Sequence, residues 1–227
     1  MLAELHAHTT WSDGELTTAR LVDLYGRAGF DVLAITDHVV HSSAEAHVCA
    51  ESYRAYLDDV DTEAERARRR YGMLVVPGLE LTVEDPDPRE AGHALAIGLR
   101  TFVSVDEGLD AALREARSQG AALIAAHPYL LAEAAASNRG TARFAEDPEW
   151  AVSAVHRFEL FNQDDRFDWV ARRQLPWVAT GDFHRPEHMR TWKTLLDCER
   201  TEEAVVARLR SSTQCALMRI AADRLAA

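Results

Sequence analysis

Apolar runs that stop at metal-binding side chains constrain this chain more than any other feature of its sequence. Leu2–Leu5 is followed by His6 and His8, and Val32–Ile35 by Thr36-Asp37-His38. Val75–Leu79 ends at Glu80, Leu123–Ala126 at His127-Pro128, and Val178–Thr180 at Gly181-Asp182-Phe183-His184. Short apolar runs separated by longer segments of helical period predict βα units and parallel strands. In a barrel of parallel strands the C-terminal strand ends converge on one face, which makes neighbours of residues distant in sequence.

Strands are expected near 2–6, 31–36, 73–77, 93–99, 121–126, 157–161, 177–180 and 193–197. Residues 17–28 read as a helix, with an apolar stripe of Leu21, Val22, Leu24 and Tyr25 and a stop at Gly29. Segment 43–71 reads as a long outer helix whose basic end, Arg66 to Arg70, suits a helix C-terminus. Ser104 and Glu107 have capping-box spacing ahead of a helix over 105–119 that stops at Gly120. Residues 84–90 and 138–149 read as loops, the second as a candidate lid, and 201–211 as a final helix. No linker or repeat divides the 227 residues, so one domain is expected.

Composition narrows the function classes. The chain is 47% apolar and 27% charged, as globular proteins are. A formal net charge of −12 argues against a large nucleic-acid surface, while a small anionic substrate stays compatible with a site whose ions supply positive field. Three cysteines without C-x-x-C spacing suggest neither a disulfide framework nor a thiolate zinc cluster. With no signal-peptide pattern at residues 1–5 and no membrane-length apolar run, a cytoplasmic location is expected.

Period-2 geometry puts His6 and His8 on one side of an extended strand, and likewise Asp182 and His184. Imidazole and carboxylate donors suit Zn, Mn or Fe. Glu80 could bridge two ions with its two oxygens, and Asp13 could reach the same face from the loop after the first strand. Singly, His8 or His127 reads as a hydrogen-bonded structural histidine, and His93 reads equally as core or ligand. Asp37 could cap a helix or orient His38. Together, ligand-type residues at five strand ends favour a metal site. His41 and His188 follow ligand motifs closely enough to line a pocket, whereas His47 and His156 read as surface or helix residues. Trp150, Trp169 and Trp177 read as packing residues.

The ordered motifs His6-Ala7-His8 through Asp13, Ile35-Thr36-Asp37-His38, Pro77-Gly78-Leu79-Glu80, Ala126-His127-Pro128 and Gly181-Asp182-Phe183-His184 resemble those of the PHP (polymerase and histidinol phosphatase) family. The resemblance implies a distorted (β/α)7 barrel with two or three divalent ions, hydrolysing a small phosphate ester. Carried over by position, it implies that His6, His8, Glu80 and Asp182 hold one ion. Glu80, His93 and His127 would hold a second, and Asp13, His38 and His184 a third. Val39-Val40 after His38 departs from the Thr-Asp-His-Asp-Thr of many nucleotide-directed members.

Water activated by the ions would attack phosphorus, with Arg185 as phosphate clamp and Arg139 or Arg143 added from the lid. Asp37 or a pocket histidine would protonate the leaving group. The nearest rival is an amidohydrolase-type barrel acting on an amide, carbamate or ester. Many such enzymes bridge two ions with a carbamylated lysine from a middle strand. Lys193 is the only lysine here and follows the last motif. A non-catalytic metal-binding domain is the third reading.

Overall fold

Aliphatic runs form the strands, and the amphipathic segments between them form the helices. The computed structural model describes residues 1–44, 47–137 and 141–220. β1 (Leu2–Glu4) leads through α1 (Thr18–Arg27) to β2 (Val32–Ile35), and the two strands pair in parallel. The Thr17 side chain caps α1 by accepting from Arg20 N, and Leu21, Val22 and Tyr25 form its buried face. Beyond the short β3 (His38–Val39), α2 (Tyr53–Tyr71) ends at a left-handed Gly72.

The helix predicted from residue 43 therefore starts ten residues later than expected. Val48 is buried and its amide donates to His38 O, which ties that segment to β3.

β4 (Leu74–Val83), β5 (Gly92–Ile97), α3 (Leu109–Ser118) and β6 (Ala122–Ala126) follow. The predicted capping box is not formed. Ser104 Oγ accepts from Asp106 N, and Gly108, at φ 85°, separates Glu107 from the helix. Next come α4 (Leu131–Ser137), α5 (Arg143–Glu146), α6 (Pro148–Ala154), β7 (Arg157–Asn162), β8 (Asp165–Arg166) and α7 (Asp168–Arg172). The expected loop over 138–149 is thus partly helical: Asp147 accepts from Trp150 N and Pro148 opens the first turn of α6. β9 (Trp177–Thr180), a 3-10 turn at Pro186–Met189, β10 (Trp192–Leu195), α8 (Glu202–Arg210) and β11 (Ala216–Arg219) complete the described chain.

The strands form one curled mixed sheet in the order β11-β10-β1-β2-β4-β5-β6-β7-β8, with β3 on β4 and β9 on β7. Pairing is parallel across β1-β2-β4 and β6-β7-β9 but antiparallel across β4-β5-β6. This departs from the regular (β/α)7 alternation. A parallel return needs a crossover of a dozen or more residues, and the short link 84–91 permits only a hairpin. Beyond the ends of β1 and β9 one isolated parallel bridge joins Ala7 to Phe183, where His8 N donates to Phe183 O at 2.8 Å and Phe183 N to His6 O at 3.0 Å.

The alternation of side chains along the strands builds two cores. Leu33, Ile35, Val75, Ala94 and Leu123 pack outward against Leu21, Tyr56 and Leu113 of α1, α2 and α3. Val32, Ala34, Val76, Leu95, Ile124 and Val178 form an inner core closed by Val205 and Leu209 of α8. Trp169 is buried, and Trp150 and Trp177 are half-buried packing residues. Among the described residues, no helix is long and apolar enough to cross a membrane.

Candidate metal centre

Strand direction decides which side chains reach the rim above the inner core. His38 pairs in register with Glu80, so the ends of β3 and β4 share a face. β5 runs the opposite way, and the residue it brings to that rim is at its start, His93, opposite Thr82 and Ala126. The strand-end rule could not settle His93 for this reason. His127 follows β6 and Asp182 follows β9, with φ of 28° and 44°. Left-handed backbone at non-glycine residues is unfavourable and concentrates at functional sites.

Glu80 lies at the centre, fully buried, with its two oxygens facing different partners. Oε1 lies 3.2 Å from His93 Nδ1 and 3.1 Å from His127 Nε2. Oε2 lies 3.1 Å from His6 Nε2, 3.2 Å from His8 Nε2 and 3.1 Å from His38 Nδ1. Asp182 Oδ1 is 3.3 Å from His6 Nε2 and 3.4 Å from both His8 Nε2 and His184 Nδ1. Asp13 Oδ2 is 3.2 Å from His184 Nε2, and its Oδ1 is 3.7 Å from His38 and His8. Every metal-ligand candidate named from the sequence lies in this one cluster. Three groups within it place their donor atoms close enough to share an ion: His6, His8 and Glu80; Glu80, His93 and His127; and His8, Asp13, His38 and His184.

The electrostatics of the cluster suit cations. Burial by itself would lower the His6 and His8 pKa values, but nearby carboxylates outweigh it. Asp182, Glu80 and Glu159 hold His6 well above its ordinary value, and the nearby Asp182 and Glu80 carboxylates raise His8 to about 9. Burial of Glu80 and Asp182 would raise them, yet the surrounding imidazoles hold both carboxylates well below their usual range. Burial wins at His38, which is lowered to about 4. His8 Nε2 is buried and, although near two carboxylates, makes no aligned hydrogen bond. An unpaired buried imidazole nitrogen directed among carboxylate oxygens fits a divalent ion.

Sequence reading missed the residues that hold the candidate ligands. Glu159, buried in β7, places Oε1 2.9 Å from His6 Nδ1 and also accepts from Thr180 Oγ1, while its Oε2 accepts from His127 N and Asn162 Nδ2. Thr82 Oγ1 lies 2.7 Å from His38 Nδ1, and Glu84 Oε1 lies 3.0 Å from His93 Nε2. A carboxylate on the far nitrogen fixes the tautomer and orientation of a ligating histidine. Glu159→Gln is therefore expected to weaken metal binding about 10- to 100-fold while the protein stays folded, as read by titration calorimetry. An acidic residue inside the apolar run Phe158–Phe161 was the available signal.

The remaining candidates lie as follows. Asp37 is fully buried. Its Oδ1 accepts from Thr9 N and Ser12 Oγ and its Oδ2 from Thr9 Oγ1, so its geometry favours holding the 9–12 turn over donating a proton to a leaving group. Arg185 is exposed at the rim, and its Nε donates to His188 Nε2 at 3.2 Å. Arg143 pairs with Asp110 and Glu90 and stacks on Trp150, which leaves it poorly placed as a clamp. Arg139 lies outside the described residues. His41 is exposed beside Ser43. His156 Nδ1 accepts from Leu123 N, a strand-edge role where a surface or helix position was expected.

No family model and no curated protein matches the chain. Solved structures do. A two-domain protein from Bacteroides vulgatus containing a predicted PHP-like metal-dependent phosphoesterase aligns with 97% of this chain at TM-score 0.72 and 20% identity. The chain has a PHP-like fold. It spans 65% of that two-domain protein. A Bifidobacterium adolescentis protein put forward as a metal-dependent phosphoesterase aligns with 81% of the chain, at TM-score 0.56 and 15% identity, covering 87% of it. An amidohydrolase from Chromobacterium violaceum, solved with sulfate and no metal, aligns over 81% of this chain and 88% of its own at TM-score 0.55 and 16% identity.

Proposed function

We propose that this chain is a single-domain, metal-dependent phosphoesterase that hydrolyses a small phosphate ester. The observation that carries the reading is the division of Glu80, whose Oε1 faces His93 and His127 and whose Oε2 faces His6, His8 and His38. His6, His8, Glu80 and Asp182 would hold one divalent ion, Glu80, His93 and His127 a second, and Asp13, His38 and His184 a third. Such ions supply Lewis acidity to a phosphoryl oxygen and acidify water at neutral pH.

The protein's own groups bind and orient. Arg185, exposed and directly after His184, has guanidinium nitrogens with no partner beyond His188 among the described residues, and can offer a bidentate fork to phosphate oxygens. His188 steadies it: its Nε2 accepts from Arg185 Nε, which leaves Nδ1–H to donate to the Asp182 carbonyl oxygen at 3.0 Å. Asp37 holds the 9–12 turn beside His8 and Asp13. The likeness to an amidohydrolase raises hydrolysis at carbon as a second reading. Lys193, the residue a carbamate bridge would need, is committed to Glu4, Thr191 and the His188 carbonyl, which favours phosphorus.

The test is turnover of an aryl phosphate monoester and diester by protein loaded with Mn, Zn or Fe. Hydrolysis of at least one is expected, and metal uptake with turnover of neither would favour a non-catalytic or carbon-directed protein. Arg185→Ala is expected to raise KM about tenfold or more with metal content unchanged, the loss of a charge-assisted hydrogen bond. An unchanged KM removes Arg185 from the substrate site.

A further inference from the structure

Glu4 is a buried acid in the first strand, and the metal cluster makes no direct use of it. It sits where β1 stops being regular. Ala3 and Leu5 both pack in the inner core, whereas Ala7 packs in the outer one, so the two-residue alternation slips between Leu5 and Ala7. A regular strand would turn His6 and His8 to the opposite face, away from Glu80.

The slip leaves backbone amides in need of acceptors. Leu5 N and His6 N both donate to Glu4 Oε1, at 3.0 and 3.2 Å. Gly181 N, across the seam between β1 and β9, donates to the same oxygen at 2.9 Å. Glu4 Oε2 accepts from Tyr25 OH at 3.0 Å and from Lys193 Nζ at 2.7 Å. The other two ammonium protons of Lys193 reach Thr191 Oγ1 at 2.8 Å and His188 O at 3.2 Å. Gly181 makes room for the pair, because a Cβ there would collide with Lys193 Nζ and Glu4 Oε2. A buried ion pair is a poor device for stability when apolar residues of like volume could replace it.

We propose that Glu4 and Lys193 are positioning residues: a buried clasp that fixes the strand slip turning His6 and His8 inward and sets their distance from Asp182 and His184. Glu4 joins the segment before His6 to the residue before Asp182, and Lys193 extends the clasp to the 188–191 turn that backs His184. The inference rests on the metal-centre reading above.

The test compares cobalt(II) binding, by calorimetry and visible absorption, in folded full-length variants checked by circular dichroism. Glu4→Leu/Lys193→Met keeps volume but removes the acceptor, and is expected to bind cobalt(II) at least tenfold more weakly with an altered spectrum. Glu4→Gln/Lys193→Met keeps an oxygen acceptor without the buried charges and is expected to stay within about threefold of wild type. Leu113→Ala, a core deletion in α3 distant from the seam, lowers stability and is expected to keep wild-type affinity. If the first variant does not fold, Gly181→Ala takes its place with the same expected loss.

Wild-type affinity and spectrum in the acceptor-less variant or in Gly181→Ala would overturn the clasp and leave the metal centre standing. A tenfold loss in Leu113→Ala would overturn it as well, by reducing the effect to general instability. Wild-type protein that takes up no cobalt(II) overturns both readings.

Discussion

Glu80→Gln is expected to reduce hydrolysis by well over about a hundredfold, beyond what losing an outer-shell partner costs, and to lower the metal content by at least one ion. The carboxylate presents Oε1 to His93 and His127 and Oε2 to His6, His8 and His38. An amide offers one oxygen, so one of those groups would face an NH2 donor that cannot ligate. Metal analysis of the purified variant, alongside turnover of an aryl phosphate, checks this. A full metal complement with undiminished turnover would remove Glu80 from its bridging role.

Chelated protein is expected to be most stable near pH 6.5 and to lose stability on either side. Despite burial, the nearby Asp182 and Glu80 carboxylates raise His8 to about 9, and hydrogen bonding to Glu80 and Glu84 raises His93 to about 9. For a histidine raised on folding, the contribution is complete below the unfolded value of 6.5 and is lost as pH rises through about 9. Burial lowers His38 and His156 to about 4, so between 6.5 and 4 the unfolded chain takes up protons first and stability falls as pH falls.

Divalent ions bound at the proposed centre would replace those protons. The melting temperature of loaded protein should therefore exceed that of chelated protein by a margin that widens from pH 6.5 to 9. At a thousandfold excess of free metal over Kd the stabilisation amounts to about 4 kcal/mol. Parallel melting curves with and without chelator across that range would show that the imidazoles do not bind metal. Calorimetry in buffers of different ionisation enthalpy should also detect protons released on metal uptake.

Much of the candidate site was legible because parallel strands gather their C-terminal ends. His6, His8, Glu80, His127 and Asp182 each follow an apolar run, and that local pattern sufficed to name them. His93 was ambiguous because its strand runs the other way, and direction depends on the short 84–91 link and on pairing with β4 and β6. The β/α alternation of the expected distorted (β/α)7 barrel is interrupted at the same place, by the antiparallel β4-β5-β6 pairing.

Glu4 and Glu159 were passed over because an acid inside an apolar run does not name its partner: Glu159 meets His6 across 153 residues, and Glu4 meets Lys193 only through the fold. Arg143 illustrates the converse. Its position in the 138–149 segment suggested a phosphate clamp, but Asp110 and Glu90 already hold its guanidinium.

Residue type and short-range period were enough for most strand positions and for the donor chemistry at their ends, but not for β3, β8 and β11 or for the extension of β4 to Val83. Tertiary structure alone decided that Glu80 divides its oxygens between two groups of imidazoles, and that Glu159, 153 residues from His6, holds its ring. It also decided that the side-chain alternation slips between Leu5 and Ala7, so that His6 and His8 face inward. These contacts depend on register and strand direction, which are set by packing across the whole sheet.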